Sequence, residues 1–338
     1  MKTYRAAIVG AGIIAKLHVR ALRESERTVF TAIADIDPER ARVLAEPSGA
    51  AVYEDYRLMI AQEKPDIAIV TLPHHLHKEA TIFCMEQGCH VLLEKPMALN
   101  AAECAEINEV AAKYGVKALV GHMQHFFAAN IKAKEIIESG RLGQLVAIND
   151  RRHHPYFLPD RPGWFLDKAR SGGGVVINLG SHSIDKIQWL TGTTIRSVKA
   201  SMTYYGERGD VEGSASLFMQ TSSGVPAMVS LCGYNNVAVN ETELLFTGGQ
   251  LKITGSQGLW IGTFDQPYEP VSTEGFAEPF AAQWNSMLDC VEHGMEEGIS
   301  GIYGQSVCAV VDAAYRSSET GKEQEVESFS TTEEVSVR

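Results

Sequence analysis

The first 121 residues alternate short runs of β-formers with helix-period stretches, and that alternation limits the possible folds more than any other feature. YRAAIV from Tyr4, VFTAIA from Val29, DIAIVT from Asp66, HVLLE from His90 and KALVG from Lys117 read as strands. Ile13 to about Glu24 reads as the first helix. DPERARVLAE is a second, with Asp37 as N-cap and Pro38 at its first position. DYRLMIAQEK is amphipathic, and HKEATIFCMEQG is a helix stopped by Gly88. In NAAECAEINEVAAKYG, Asn100 and Glu103 resemble a capping box. Strands alternating with helices predict a parallel sheet covered on both faces, with right-handed crossovers.

After residue 121 the pattern changes. A helix is expected near 128–139, a strand in QLVAINDRR and a helix at 182–190. The runs 195–205, 211–220, 225–234 and 240–247 are rich in β-formers and joined by Gly, Asn or Ser-Gly turns. Two helices, near 279–293 and 305–319, close the chain. The expected fold class is α/β. A doubly wound Rossmann domain spans residues 1–121. An α+β domain with a large, open, mostly antiparallel sheet spans 122–338.

Composition removes several function classes. A chain that is 45% hydrophobic and 21% charged can bury a sizeable core. A net charge of −12 without long like-charge runs argues against nucleic acid or an anionic membrane surface as partner. No apolar stretch approaches the roughly 20 residues that span a bilayer. The N-terminus reads as a strand and not as a signal peptide. The six cysteines form no Cys-x-x-Cys pair and sit mostly in apolar patterns, as expected of reduced thiols in the cytoplasm. Their spacing supports no metal site.

The turn after the first strand is Gly10-Ala11-Gly12-Ile13-Ile14-Ala15. Gly10 suits a tight turn, Gly12 close approach of a pyrophosphate, and Ala15 close helix–sheet packing. The helix opening at Ile13 and Ile14 would turn its free N–H groups toward phosphates. Asp35 ends the second strand, about 20 residues on, where a carboxylate holds the ribose diol of a dinucleotide. A carboxylate there repels a ribose phosphate, so NAD is favoured over NADP. Arg40 could reach such a phosphate and keeps NADP open.

HVLL then runs directly into Glu94, Lys95 and Pro96. Ligands of open parallel sheets sit beyond the carboxyl ends of the strands, and these charges lie at such an end. The Gly10–Ala15 loop with His18 behind it, TLPHHLHKEA, EKP and SGGGVVINLGSHSIDKIQWLTG together resemble the glucose–fructose oxidoreductase / inositol dehydrogenase / rhizopine catabolism (Gfo/Idh/MocA) family over nearly the whole chain. The resemblance implies reversible NAD(P)-dependent oxidation of a secondary alcohol on a sugar, cyclitol or derivative, by a homodimer or homotetramer. It implies that Lys95 lies between nicotinamide ribose and substrate, where a cation stabilises developing alkoxide. It also implies a Lys95–Pro96 bond that is often cis, Leu72, Pro73 and His77 packed by the nicotinamide, and Glu94 on the cofactor side.

In the same resemblance His182 matches the histidine that acts as, or assists, the general base. Asn178 stands where many members have Asp; an amide cannot take a proton but can bind a hydroxyl or orient His182. Positions 178, 182 and 185 would share a helix face. Asp185 either orients His182 or caps a buried polar group. The run Gly172–Gly174 reads as room for a ligand. His125, Tyr156 and Trp164, with His153, are candidates for lining a sugar pocket. Two readings of other classes stand beside the dehydrogenase: an NAD-dependent glycosidase using transient oxidation, and a non-catalytic NAD-binding regulator.

Overall fold

A computed structural model describes residues 2–255, 258–294 and 298–329. They form two compact units, one of residues up to Met123 together with Ala277–Gly304, the other of Gln124–Phe276 together with the chain from Gln305 on.

In the first unit the elements follow as β1 (Tyr4–Val9), α1 (Ala15–Glu24), β2 (Thr28–Ala34), α2 (Pro38–Ala45), β3 (Ala51–Tyr53), α3 (Tyr56–Glu63), β4 (Ile67–Val70), α4 (His77–Glu86), β5 (His90–Leu93), α5 (Ala101–Tyr114) and β6 (Ala118–Val120). The strands pair in parallel in the order β3-β2-β1-β4-β5-β6. The order reverses between β1 and β4, so a crevice opens at their carboxyl ends. Residues Ala6–Val9 and Ile67–Val70 are at most 1% exposed, because helices cover both faces. Asp37 caps α2 by accepting from the Glu39 and Arg40 N–H groups, and Asn100 caps α5 by accepting from Glu103 N–H at 2.9 Å. Glu103 in turn accepts from Leu99 N–H, not from Asn100. Strand β3, three residues long, was too short to stand out as a sequence pattern.

Sequence reasoning places everything after residue 121 in the second domain. The structure corrects this, because Ala277–Gly304 belongs to the first unit. Its helix α9 (Pro279–His293) lies on α1. The fully buried Trp284 donates from Nε1 to Thr28 Oγ1 at 2.8 Å, and Arg27 pairs with Asp289 at 2.7 Å. Apolar burial and these pairs outweigh sequence distance, which costs only a slowly growing loop entropy.

The second unit carries α6 (Ala128–Glu138), β7 (Leu145–His153), α7 (Lys168–Ser171), a π-helical turn (Val176–Gly180), α8 (Ser181–Thr191), β8 (Ile195–Thr203), β9 (Ser214–Thr221), β10 (Pro226–Cys232), β11 (Val239–Phe246), β12 (Gly249–Thr254), β13 (Gly258–Thr263), β14 (Gln266–Val271) and β15 (Gln324–Glu325). Its nine strands run in the order β14-β13-β12-β11-β7-β10-β9-β8-β15, antiparallel except for the parallel pair β7/β10. Helix α10 (Gly301–Thr320) follows α9 in the chain. The hairpins of β12–β14 escaped sequence reading: QPYEPV carries two prolines, which only an edge strand tolerates.

One face of this sheet is mixed: Phe218 and Met228 pair across β9/β10 and are half-exposed, flanked in register by Lys199 and Asn149. On the other face β7 turns Ile148, Asp150 and Arg152 inward.

Candidate active site

In the first unit the loop after β1 is drawn tightly onto its neighbours. Gly10 N–H donates to Ala34 O, and Thr71 donates from Oγ1 to Gly10 O at 2.8 Å. Gly10 has φ +102°, and a Cβ there would lie 2.9 Å from Thr71 O, so only glycine fits. Gly12 is different, since a Cβ on it would meet nothing nearer than Thr71 O at 3.9 Å. No protein atom demands glycine at this position. The room it leaves at the start of α1 fits a pyrophosphate.

Asp35 holds the loop from the far side. Its carboxylate accepts from Ala11 N–H at 2.7 Å and from Asp37 N–H at 2.8 Å, and it pairs with Arg40 at 3.0 Å. A carboxylate offers about four acceptor directions, so these three donors leave one for a ribose hydroxyl, and displacing the exposed Arg40 frees a second. Arg40 is exposed and sits against the very carboxylate that would exclude a ribose phosphate.

At the end of β5 the Lys95–Pro96 bond is cis. Glu94 is buried, with Oε1 2.9 Å from His18 Nε2 and Oε2 accepting from Lys95 N–H at 3.2 Å. Burial works to raise its pKa, but the His18 hydrogen bond and the charges of His18 and Lys95 outweigh that and hold the carboxyl below its usual range. Gly121 stands beside this carboxylate, where a Cβ would lie 3.1 Å from Oε1. Glu94 thus orients the backbone that carries the half-buried Lys95. His77 is fully buried, its Nδ1 2.8 Å from Pro96 O and its Nε2 2.7 Å from Leu72 O. It ties the Leu72–Pro73 turn to the lysine segment. Burial lowers its pKa although both carbonyls favour the charged ring. A neutral ring donates to only one of them.

In the second unit Asn178 lies in the π-helical turn and His182 in the first turn of α8. Such turns recur at functional sites. Asn178 donates from Nδ2 to the hydroxyl of Tyr156 at 3.2 Å. Glu212 holds the start of this segment: its carboxylate accepts from Gly174 N–H at 2.9 Å, from Val176 N–H at 2.8 Å and from the Tyr315 hydroxyl at 2.9 Å. Burial pushes its pKa up despite these donors.

The structure revises the reading of the glycine run. A Cβ on Gly173 would lie 1.8 Å from the Tyr315 hydroxyl, and one on Gly174 would lie 2.1 Å from Glu212 O. These glycines admit protein, not ligand. Asp185 is fully buried, with Oδ1 2.6 Å from His125 Nε2, and His125 stacks on Trp189 at 4.8 Å. His125 is therefore built into the interior beneath α8. Tyr156 is also fully buried, so its ring offers no platform for a sugar; it is a spacer behind Asn178. Trp164 stacks on Phe165. His153 faces Ser230 across the sheet at 3.2 Å, and the strand's alternation turns Arg152 inward instead.

Beneath α8 lies a buried network missed in the sequence. Asp150 accepts from Ser183 Oγ at 2.5 Å and Thr242 Oγ1 at 2.7 Å, and Lys186 donates to Thr242 Oγ1 at 2.7 Å. Burial brings the Lys186 pKa down to about 8 against the pull of Asp150. The network pins α8 to β7 and β11. A signal existed: Asp150 and Arg152 are opposite charges two apart in a strand, on one face. Nothing in the sequence marked Glu212.

Residues 4–122 match the profile of the Gfo/Idh/MocA oxidoreductase family with its NAD-binding Rossmann fold, and residues 130–259 match that of the Gfo/Idh/MocA C-terminal domain. The chain belongs to this family of oxidoreductases. Among its relatives, D-glucoside 3-dehydrogenase of Escherichia coli (strain K12) is 33% identical over 58% of this chain and 56% of its own length. Inositol 2-dehydrogenase 1 of Saccharopolyspora erythraea is 26% identical over 96% and 97%. The solved aldose-aldose oxidoreductase from Caulobacter crescentus, complexed with glycerol, superposes with a TM-score of 0.88 at 25% identity, covering 96% of this chain and 100% of its own. In the first three curated matches the chain spans only 56–58% of the relative's length.

Proposed function

We propose that this protein is an NAD-dependent dehydrogenase that reversibly oxidises a secondary alcohol of a sugar, cyclitol or related polyol. The observation that carries the proposal is Lys95, set by the pinned Glu94 carboxylate and Pro96 at the carboxyl end of β5 in an NAD-binding fold. Gly10–Ile14, Asp35 and the Leu72–Pro73 turn would hold the cofactor. NAD, when bound there, would supply the hydride acceptor for the carbinol carbon. Lys95 stabilises negative charge growing on the substrate oxygen. His182 takes the hydroxyl proton, an imidazole being suited to that near neutral pH. Asn178, backed by Tyr156, orients substrate or His182. The dehydrogenases named among the relatives support the substrate class. The test is NADH formation with a panel of polyols, sugars and sugar acids. Glycoside cleavage without net NADH would assign the glycosidase chemistry instead, and no turnover of any kind would leave a regulator.

Asp35 should make NAD bind more tightly than NADP. Asp35→Asn keeps an acceptor for Ala11 N–H and removes the charge, leaving Arg40 to attract a ribose phosphate. Its NAD-over-NADP preference should shrink in fluorescence titrations. Native protein that binds NADP more tightly would refute the role of Asp35.

The half-exposed Phe218 and Met228 favour a homodimer or homotetramer assembled through the open sheet. Light scattering at micromolar concentration should show it, and a monomer there would argue otherwise. The acidic net charge supports a small-molecule substrate rather than nucleic acid as partner. Among the described residues no helix is long and apolar enough to cross a membrane. Among the described residues none of the six cysteines forms a disulfide, which supports a cytoplasmic setting.

A further inference from the structure

We propose that Arg161 binds an oxyanion on the substrate, so that the natural substrate is a sugar or polyol carrying a carboxylate or phosphate and not a neutral one. The inference rests on the dehydrogenase reading above and narrows it.

Arg161 lies in the segment between β7 and α7. Its guanidinium carbon is 4.1 Å from the centroid of the Tyr156 ring and 4.9 Å from that of Phe165. Its Nε is buried and makes no hydrogen bond. Among the described residues no carboxylate lies within ion-pair distance of it. Burial lowers its pKa, against weaker pulls from the Tyr156 phenol and the exposed carboxylate of Asp160. A partly desolvated guanidinium without a counter-charge is costly, and the fold gains little from it.

Arg208 ties the same loop by its backbone, donating to Leu158 O at 2.7 Å and to Pro159 O at 3.2 Å. Arg152, the other inward arginine, also has buried Nε and Nη2 atoms without a hydrogen bond, but it lies in the field of Asp150 and Asp185. Arg161 lies over two aromatic rings, and its Nε–H has no hydrogen-bond partner. That geometry is suited to bidentate capture of a carboxylate or phosphate.

Its position ties it to the reacting groups. The same Tyr156 ring that supports the guanidinium accepts, through its hydroxyl, the hydrogen bond from Asn178. One ring therefore separates Arg161 from Asn178, which lies one turn before His182. A substrate alcohol at Asn178 and His182 would carry its anionic group a few bonds away, as the carboxyl end of a uronate does.

The test compares D-glucose, D-glucuronate and D-glucose 6-phosphate, with the galacto series beside them, as substrates of the full chain with NAD. Native protein should show the highest kcat/KM on a charged sugar, and the better of uronate and phosphate names the group. Arg161→Gln should raise KM for that sugar roughly ten- to a hundredfold with little change in kcat, the loss expected for one charged hydrogen-bonded contact. Arg161→Lys should fall between, keeping charge without the planar fork. Equal kcat/KM on neutral and charged sugars would overturn the inference and leave the dehydrogenase reading intact. If no sugar is oxidised, that reading fails. Calorimetric titration of the native, NAD-loaded chain then decides the inference: tighter binding of glucuronate or glucose 6-phosphate than of glucose supports it, and equal or weaker binding rejects it.

Discussion

Lys95→Met is expected to lower turnover by at least about two orders of magnitude while leaving NAD affinity nearly unchanged, the cost of losing one preorganised charge at a developing oxyanion. Methionine keeps the length and apolar stem of lysine. Glu94 takes the Lys95 N–H in fixing the strand end, and any residue but proline supplies that bond. The loss should therefore fall on kcat, with NAD titration and the unfolding midpoint close to native. A variant retaining near-native turnover on the true substrate would remove Lys95 from the mechanism.

His182→Asn should cost a comparable factor, within the roughly 10²–10⁴ that general acid–base catalysis contributes, and should delete a limb near neutral pH from the rate profile. Asparagine still hydrogen-bonds but cannot carry the proton. Lys95 and His182 are assigned to one O–H bond, so the double mutant should be far less impaired than the product of the single losses. If the pH limb persists without His182, the base is Lys95, its pKa lowered by its surroundings. Rates measured from below pH 6 to above pH 9 on both variants separate these outcomes, since this interval brackets the ordinary histidine range.

Much of this was legible in the residues. The Gly10–Ala15 turn, the strand-helix alternation and the Asn100 cap are local signals, set by sterics and by hydrogen bonds between near neighbours in sequence. The family resemblance of EKP and of the Gly172–Asp185 segment drew attention to Lys95, Asn178 and His182. Long-range packing was not legible. Nothing near Glu212 shows that it will hold the backbone N–H groups of Gly174 and Val176. The same holds for His77, whose bonds to Leu72 O and Pro96 O depend on how α4 meets the end of β5.

By itself the sequence determined the strand–helix alternation of the first unit, the glycine turn after β1, and the positions of Asp35 at the end of β2 and Lys95 at the end of β5, because each is encoded in the periodicity or composition of a few consecutive residues. The tertiary structure alone decided the rest. It returned Ala277–Gly304 to the first unit, turned Gly173 and Gly174 toward Tyr315 and Glu212, and buried His125 with Asp185 and Tyr156 behind Asn178. It also left the Arg161 guanidinium stacked on Tyr156 without a counter-charge. The reason is that burial and pairing are properties of residues far apart in the chain. Whether a histidine or an arginine meets a carboxylate is settled only once the elements carrying them have packed.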